Sequence, residues 1–507
     1  MKNRSLFSQS LRTRFFSGLL LAAVTIGLAA CGRDYYKFPQ YTYANRPVPP
    51  SKLANRVMVS LTVNGSTGSL QILDALRDIR NNIENTVSSF TISGYSGGYP
   101  SRIYNFPAEV AGYVYDNSQG SLTKIDYGKE ASAGSAGTLG GLAPSIAIPP
   151  SFNHIYAAVQ ANGQLVVIDN TVGKTYALNL PNVYSVSANI GDTVVLAMVR
   201  NSNTLYRLIK LNSNKTAPPG AIDCQPVILP VYCVVPVPDS SSSPSFDHPV
   251  SAYFSLDGWT AYLLNCGPEC GGSTASITMM PIAPLQVTVC PTPASDTSGV
   301  PECPTSGSDT SPVTGHLNIP GGVTTALSDG STLYLAGQQL QADGLFTGFL
   351  TTVDQGSNTI TGQYSISDGY HTKLLFADDN TLWIGSQSCA TGERQHQATL
   401  GNTTQAANYN CLSRFDLGAK SVTIVPAVNQ NTGTAVGYPN TNQNQYYYGD
   451  LTGLCWVQGL HKVYTAYGGQ VHAFNTADGS EINNYLITVQ GTALDVAYMD
   501  ALSDSAD

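Results

Sequence analysis

Gln164-Leu-Val-Val-Ile-Asp169, preceded by Ile155-Tyr-Ala-Ala-Val159, sets the architecture of this chain. Both segments are short, apolar and rich in β-branched residues and Tyr, and a polar turn with Asn and Gly separates them. That is the composition of two antiparallel strands. The second segment ends on an Asp, a residue that accepts backbone N–H groups in a following turn. The pair recurs along the chain. Its second member returns as Ser69-Leu-Gln-Ile-Leu-Asp74, Ser121-Leu-Thr-Lys-Ile-Asp126, Phe349-Leu-Thr-Thr-Val-Asp354, Cys411-Leu-Ser-Arg-Phe-Asp416 and Gln470-Val-His-Ala-Phe-Asn475. Two degenerate copies, Tyr206-Arg-Leu-Ile-Lys-Leu-Asn212 and Ser276-Ile-Thr-Met-Met-Pro281, lie between them. Each is preceded by a partner such as Val57-Met-Val-Ser-Leu61, Leu333-Tyr-Leu-Ala336 or Val463-Tyr-Thr-Ala466.

The first three clear Asp markers, Asp74, Asp126 and Asp169, are 52 and 43 residues apart. A period of roughly forty residues carrying three or four short strands is that of propeller blades. The Val, Tyr and Thr content and the lack of a sustained 3.6-residue period exclude a helical repeat. Spacing widens where Cys- and Ser/Pro-rich insertions at 217–247, 266–315 and 388–410 lengthen the loops. Eight strand pairs can be counted. The chain also ends in an unpaired apolar strand, Ala493-Leu-Asp-Val-Ala-Tyr498, whereas the first copy has only a tether before Val57. The predicted fold is therefore an all-β β-propeller over residues 56–500. It has eight blades, with seven as the alternative, and is closed by the C-terminal strand entering the first blade; a tail covers 501–507. Closure removes the open edges that invite aggregation.

Gly112-Tyr-Val-Tyr-Asp116 and Leu165-Val-Val-Ile-Asp169 resemble the YVTN-type propeller repeat, a lactonase-like relative of WD40 and NHL blades. The resemblance spans residues 56–500 and lapses in the fourth and fifth copies. It implies the fold and leaves the chemistry open.

The N-terminus speaks to location. Lys2, Arg4, Arg12 and Arg14 precede an apolar run, Phe15 to Ala30, that is short for a membrane span. Leu28-Ala29-Ala30-Cys31 closes it and resembles the lipobox of a bacterial lipoprotein signal. This predicts a signal peptide over 1–30, lipidation of Cys31, and a Pro/Tyr-rich tether over 31–55 that is semi-stiff. The expected site is the cell envelope, anchored to membrane by lipid. Gly32 rather than Asp after Cys31 favours the outer membrane. The formal net charge is −9, and removal of four positive side chains with the signal leaves −13. Charged residues make up 11% of the chain, and Tyr numbers 29 against 24 for Lys and Arg together. A nucleic-acid partner is excluded on that balance.

In an oxidising compartment most cysteines pair. Spacing suggests local bridges of Cys224 with Cys233, Cys266 with Cys270, Cys290 with Cys303, and Cys389 with Cys411, leaving Cys455 as a buried thiol. With no C-x-x-C, no metal site is expected. The recurring Asp reads as a turn residue. Asp378-Asp379-Asn380 also reads as a turn, since it lacks the spacing of a calcium loop.

Loops before inner strands ring the mouth of a propeller's channel, and they supply Arg102, Tyr184, His248, His371 and Asp450 as a candidate ligand site. Tyr446-Tyr447-Tyr448 is a further candidate for stacking on sugar rings. No G-x-S-x-G, H-E-x-x-H or phosphate loop occurs, so no catalytic residue and no cofactor is assigned. With Trp only at 259, 383 and 456, the once-per-blade Trp of quinoproteins is missing. The resulting expectation is a lipid-anchored binding or scaffold module for a protein or carbohydrate partner. The alternative is a propeller hydrolase or lyase of lactonase-like kind with its site at the channel mouth.

Overall fold

The computed structural model describes residues 46–78, 91–211, 217–218, 220–226, 230–239, 244–286, 288–289, 311–389, 393–404, 410–426, 428–429, 434–435, 448–482, 487 and 489–504. The signal peptide, Cys31, most of the tether, the Cys290–Cys303 pair and Tyr446–Tyr447 lie outside the described residues. The chain divides into two units, Met1–Val48 with Lys52–Ala54, and Pro49–Ser51 with Asn55–Asp507. In the first, residues 46–48 and 52–54 are described, and none is in a helix or strand. The second unit is an eight-bladed β-propeller.

Seven blades are contiguous in sequence, each listing its strands from the channel outward. Blade 2 is Pro100–Phe106, Ala111–Asp116, Ser121–Asp126 and Ala131–Thr138; blade 3 is Ser145–Ala147, His154–Val159, Gln164–Asp169 and Lys174–Asn179. Blade 4 begins Val183–Ala188, Val195–Val199 and Leu205–Leu211, and blade 5 is Pro249–Phe254, Thr260–Asn265, Ser276–Pro281 and Gly315–Asn318. Blade 6 is Thr325–Ser328, Thr332–Leu340, Phe346–Asp354 and Thr359–Ser365; blade 7 is Tyr370–Ala377, Thr381–Gln387, Leu412–Asp416 and Ser421–Val425. Blade 8 is Leu451–Val457, Lys462–Tyr467, Gln470–Asn475 and Glu481–Ile482. The hairpin that recurs in the sequence is thus the middle of each blade, and its terminal Asp caps the third strand.

Blade 1 joins the two ends of the domain. Thr492–Tyr498 is its inner strand, antiparallel to Arg56–Val63, with Tyr498 opposite Val57 and Val496 opposite Val59; Thr67–Asp74 follows outside. The strand is buried on both faces, Asp495 included. A buried aliphatic side chain contributes roughly 1.5–3 kcal/mol, so Leu494 and Val496 alone supply several.

The insertions differ from simple loops. In 217–247, Val231–Pro236 pairs along Leu205–Leu211 as the fourth strand of blade 4, and Asp223–Gln225 adds a fifth. Cys224 faces Cys233 across that outer pair and the two are bonded, so this disulfide staples two strands. Cys266–Cys270 and Cys389–Cys411 are also formed, and Cys455 is buried in blade 8.

The hydrophobic core lies between blades. Tyr113 and Tyr115 of blade 2 pack against Ile155, Ala157 and Val166 of blade 3, and Cys455, Tyr464 and Ala473 of blade 8 pack against Val57, Leu73 and Val496 of blade 1. Polar clamps lock the same seams at the end where inner strands finish. Arg56, 3% exposed, binds Asp500 of its own blade at 2.6 Å and Glu130 of blade 2 at 2.9 Å. Lys462 and Tyr464 of blade 8 both donate to Asp78 after the last strand of blade 1.

Candidate functional site

One local irregularity repeats around the channel. Near its start, the inner strand of blades 2, 4, 5, 7 and 8 holds one residue more than its partner strand, at Ser101, Tyr184, Val250, Thr372 and Thr452. The inner strand of blade 1 has the same extra residue at Leu494. Such β-bulges interrupt the two-residue alternation and re-aim the flanking side chains, and they concentrate at barrel rims and binding sites. Here they all lie at the channel mouth, the end where inner strands begin.

The residues around these bulges converge. Arg102 follows the bulge of blade 2 and is exposed to solvent, yet its charge is almost enclosed by protein. That combination belongs to the wall of a solvent-filled channel. The Tyr104 phenol, which hydrogen-bonds Arg102, does most to hold the guanidinium charged; burial works against it and Asp495 assists. Tyr184, the bulged residue of blade 4, donates its hydroxyl to Pro249 O of blade 5 at 2.9 Å. Exposed Arg200, just past the second strand of blade 4, lies 5.4 Å from the Tyr184 ring centre, a cation–π contact.

Tyr370 opens the inner strand of blade 7 and is 41% exposed. Burial of its phenol raises its pKa, Glu269 raises it further, and Arg200 and Arg102 pull it back. Residues of blades 2, 4 and 5 therefore act electrostatically on a single phenol of blade 7. Deeper in, Lys373 of blade 7 lies 3.7 Å from Asp495 of blade 1, whose other oxygen accepts the Ile103 N–H of blade 2 at 2.8 Å. Gly453 of blade 8 makes this approach possible. A Cβ there would sit 2.5 Å from Asp495 Oδ1 and 2.7 Å from its Cα.

Glu269 comes from the turn closed by Cys266–Cys270. Gly267 fits that turn with φ +60, and a Cβ on it would strike the Ala275 backbone at 2.2 Å. The Glu269 carboxylate accepts both N–H and Nε2–H of Gln338 in blade 6, at 3.1 and 2.9 Å. Burial pushes its pKa up to about 7 against those two bonds. Gln338 Oε1 in turn accepts Gly369 N–H at 3.0 Å, which positions Tyr370.

Of the five residues singled out from sequence, Arg102 and Tyr184 lie in this ring. His371, beside Tyr370, turns into the protein and is 1% exposed; its Nε2 donates to Ser367 O and burial lowers its pKa to about 4. His248 pairs with Asp247 at 2.8 Å. Asp450 is exposed and accepts the Ser388 N–H at 2.6 Å. The sequence reading missed Arg200, Glu269, Lys373, Tyr370 and Asp495. Only Tyr370-His371, placed before an inner strand, carried a signal, and of the two it is Tyr370 that is exposed.

The marker aspartates are turn acceptors. Asp126 accepts Lys129 N–H, Asp169 accepts Thr171 N–H, Asp354 accepts Ser357 N–H and Asp416 accepts Ala419 N–H, at 2.7–3.0 Å. Asp378 and Asp379 tie blade 7 to His461 of blade 8. His154, Asp192, Tyr156, Tyr232, Asp169 and Lys210 form a closed network across blades 3 and 4 at the far end of the channel. Its members satisfy one another, which makes it a seam clamp.

No family model matches the chain, and no curated protein matches it. Among solved structures, the chain is similar to the dihydro-heme d1 dehydrogenase NirN in complex with DHE, at 11% identity and TM-score 0.48 over 92% of this chain and 83% of that one. It is similar to apo AztD from Citrobacter koseri, at 10% identity and TM-score 0.46 over 88% and 97%. It is also similar to Kuenenia stuttgartiensis hydrazine synthase, at 11% identity and TM-score 0.39 over 64% and 95%.

Proposed function

We propose that this protein is an exported, lipid-anchored β-propeller that binds a partner, protein or glycan, at the mouth of its channel. The reading also takes its blades as YVTN-type repeats. The observation that carries the binding role is the convergence of Arg102, Tyr184, Arg200 and Tyr370 from three blades on one accessible opening. Propellers place ligands in such concave, largely pre-formed sites. Anchoring rests on Leu28-Ala29-Ala30-Cys31 and its basic, apolar lead.

Two measurements test the proposal. Cys31→Ser should abolish acylation and release the protein from the membrane fraction, because two or three acyl chains are what make such an anchor stable. Capture of envelope proteins and a glycan array should give binders for the wild type that a Tyr370→Ala, Arg200→Ala variant loses. Equal binding by that variant would remove the channel mouth as the site.

The alternative, a hydrolase or lyase, draws on Glu269, whose pKa of about 7 suits general acid–base work. Turnover of lactone or uronide substrates that Glu269→Gln abolishes would favour it.

A further inference from the structure

We propose that the channel mouth selects a small multivalent anion, an organic molecule carrying two or more carboxylate or phosphate groups; this rests on the binding role proposed above and names its ligand class.

The argument starts from charge. The whole chain is acidic, with a net charge of −9 and only 24 Lys and Arg among 507 residues. Three of those cations, Arg102, Arg200 and Lys373, nonetheless gather on the walls of one opening, from blades 2, 4 and 7. Elsewhere in the described propeller, buried Arg56 meets Asp500 and Glu130 closely, and Arg394 meets Asp343 at 3.0 Å. At the mouth the contacts are longer or of another kind than these. Arg200 rests on the Tyr184 ring, and Arg102 on the Tyr104 phenol. Lys373 has Asp495 at 3.7 Å, and the same carboxylate also acts on Arg102 and is already engaged by the Ile103 N–H. The other carboxyls at this end are turned to protein donors: Glu269 to Gln338 of blade 6, Asp450 to the Ser388 N–H, Asp247 to the Ser273 and Thr274 N–H groups, and Asp368 to the Gly348 N–H. The opening thus holds three cations whose carboxylate neighbours are distant, shared or turned to other donors, and away from bulk water their pairing with an added anion is stronger than in the open.

Guanidinium groups present forked donors that match carboxylate and phosphate oxygens. Tyr184 and Tyr370 add hydroxyls and ring faces beside them. Because the cations stand on separate blades, a single monovalent group cannot meet all of them. Two or more anionic groups on one scaffold can.

The test is calorimetric titration of the mature chain with three probes: trigalacturonate, citrate and neutral maltotriose. The expected result is binding of trigalacturonate and citrate, weakening as salt is raised, with maltotriose inert. Arg200→Gln, at an exposed position, should weaken anion binding about tenfold or more, as loss of a charged hydrogen bond does. Arg102→Gln should do the same, with an unchanged melting temperature for Arg200→Gln confirming the fold. Failure of both anions to bind overturns the inference. If maltotriose alone binds, and Tyr370→Ala abolishes it, the anion class falls while the channel-mouth role stands. If the anions bind and both Arg variants retain full affinity, the inference and the channel-mouth role fall together.

Discussion

Asp495, four residues into the closing strand, accepts the backbone N–H of Ile103 in blade 2 at 2.8 Å, across 392 positions of sequence. One carboxylate therefore joins the end of the chain to its second blade and also faces Lys373 of blade 7. Ring closure and channel charge meet in this residue. Asp495→Ala leaves a buried N–H and Lys373 without their acceptor. It should lower stability by about 1–3 kcal/mol. Asp495→Asn keeps an acceptor for Ile103 and should lose less. Urea unfolding of the three proteins checks the order, and an Asp495→Ala protein as stable as wild type would refute it.

Deleting Thr492 to Asp507 removes the inner strand of blade 1 and exposes Val57 and Val59 along an open edge. The truncated domain should aggregate or melt far below the full domain. Deleting residues 505–507 should leave melting unchanged. A monomeric, fully stable product of the longer deletion would mean the ring does not need this strand.

Much of this closure is legible in the residues themselves. An unpartnered apolar strand at one end and a blade without its inner strand at the other leave a single economical pairing, and Tyr498 opposite Val57 realises it. The turn role of the marker aspartates is legible too, because a residue repeated once per hairpin serves the hairpin. The channel mouth was read only in part. Tyr370 and His371 are successive residues ahead of the Thr372 bulge, so they point to opposite faces, and a position before an inner strand does not say which of them meets the opening. His371 is turned inward and Tyr370 is exposed at the opening. Nothing local marks Arg200 or Glu269, which reach the site from the turns after second strands. Val231–Pro236 was hidden as well, because the Pro-rich stretch 212–230 separates it from the third strand of blade 4.

Glu269 supplies a pH dependence whose sign is fixed. Its folded pKa, about 7, lies above its ordinary 4.5 because burial disfavours the charged form. Its contribution to stability is therefore full below about pH 4.5 and is lost as pH rises through 7. Gln338 is its hydrogen-bond partner and Tyr370 the titratable group facing it, with Arg200 and Arg102 acting on Tyr370 in turn. Between pH 5.5 and 8.5 the wild type should lose stability that Glu269→Gln retains, by an amount on the order of 2 kcal/mol. Thermal melts across that range measure it, and parallel curves for the two proteins would remove the assignment.

Arg56 anchors the seam between blades 1 and 2 through Asp500 and Glu130. Arg56→Met would strand two carboxylates in a largely dry seam, which costs about 3–5 kcal/mol for a buried pair. Arg56→Lys should recover part of this, since it restores charge without the fork. Equilibrium unfolding that ranks wild type, Lys and Met in that order supports the clamp, and an unaffected Met variant excludes it.

Hydrogen exchange of the mature chain with and without trigalacturonate tests the channel mouth as the working surface. Peptides covering 98–106, 183–188, 266–272 and 368–374 should gain protection on addition of the probe, with the turns at 190–192, 256–259 and 378–380 unchanged. Protection confined to those far-end turns or to the outer strands, or no protection at any saturating concentration, would show that the ring of Arg102, Tyr184, Arg200 and Tyr370 is not where this protein binds.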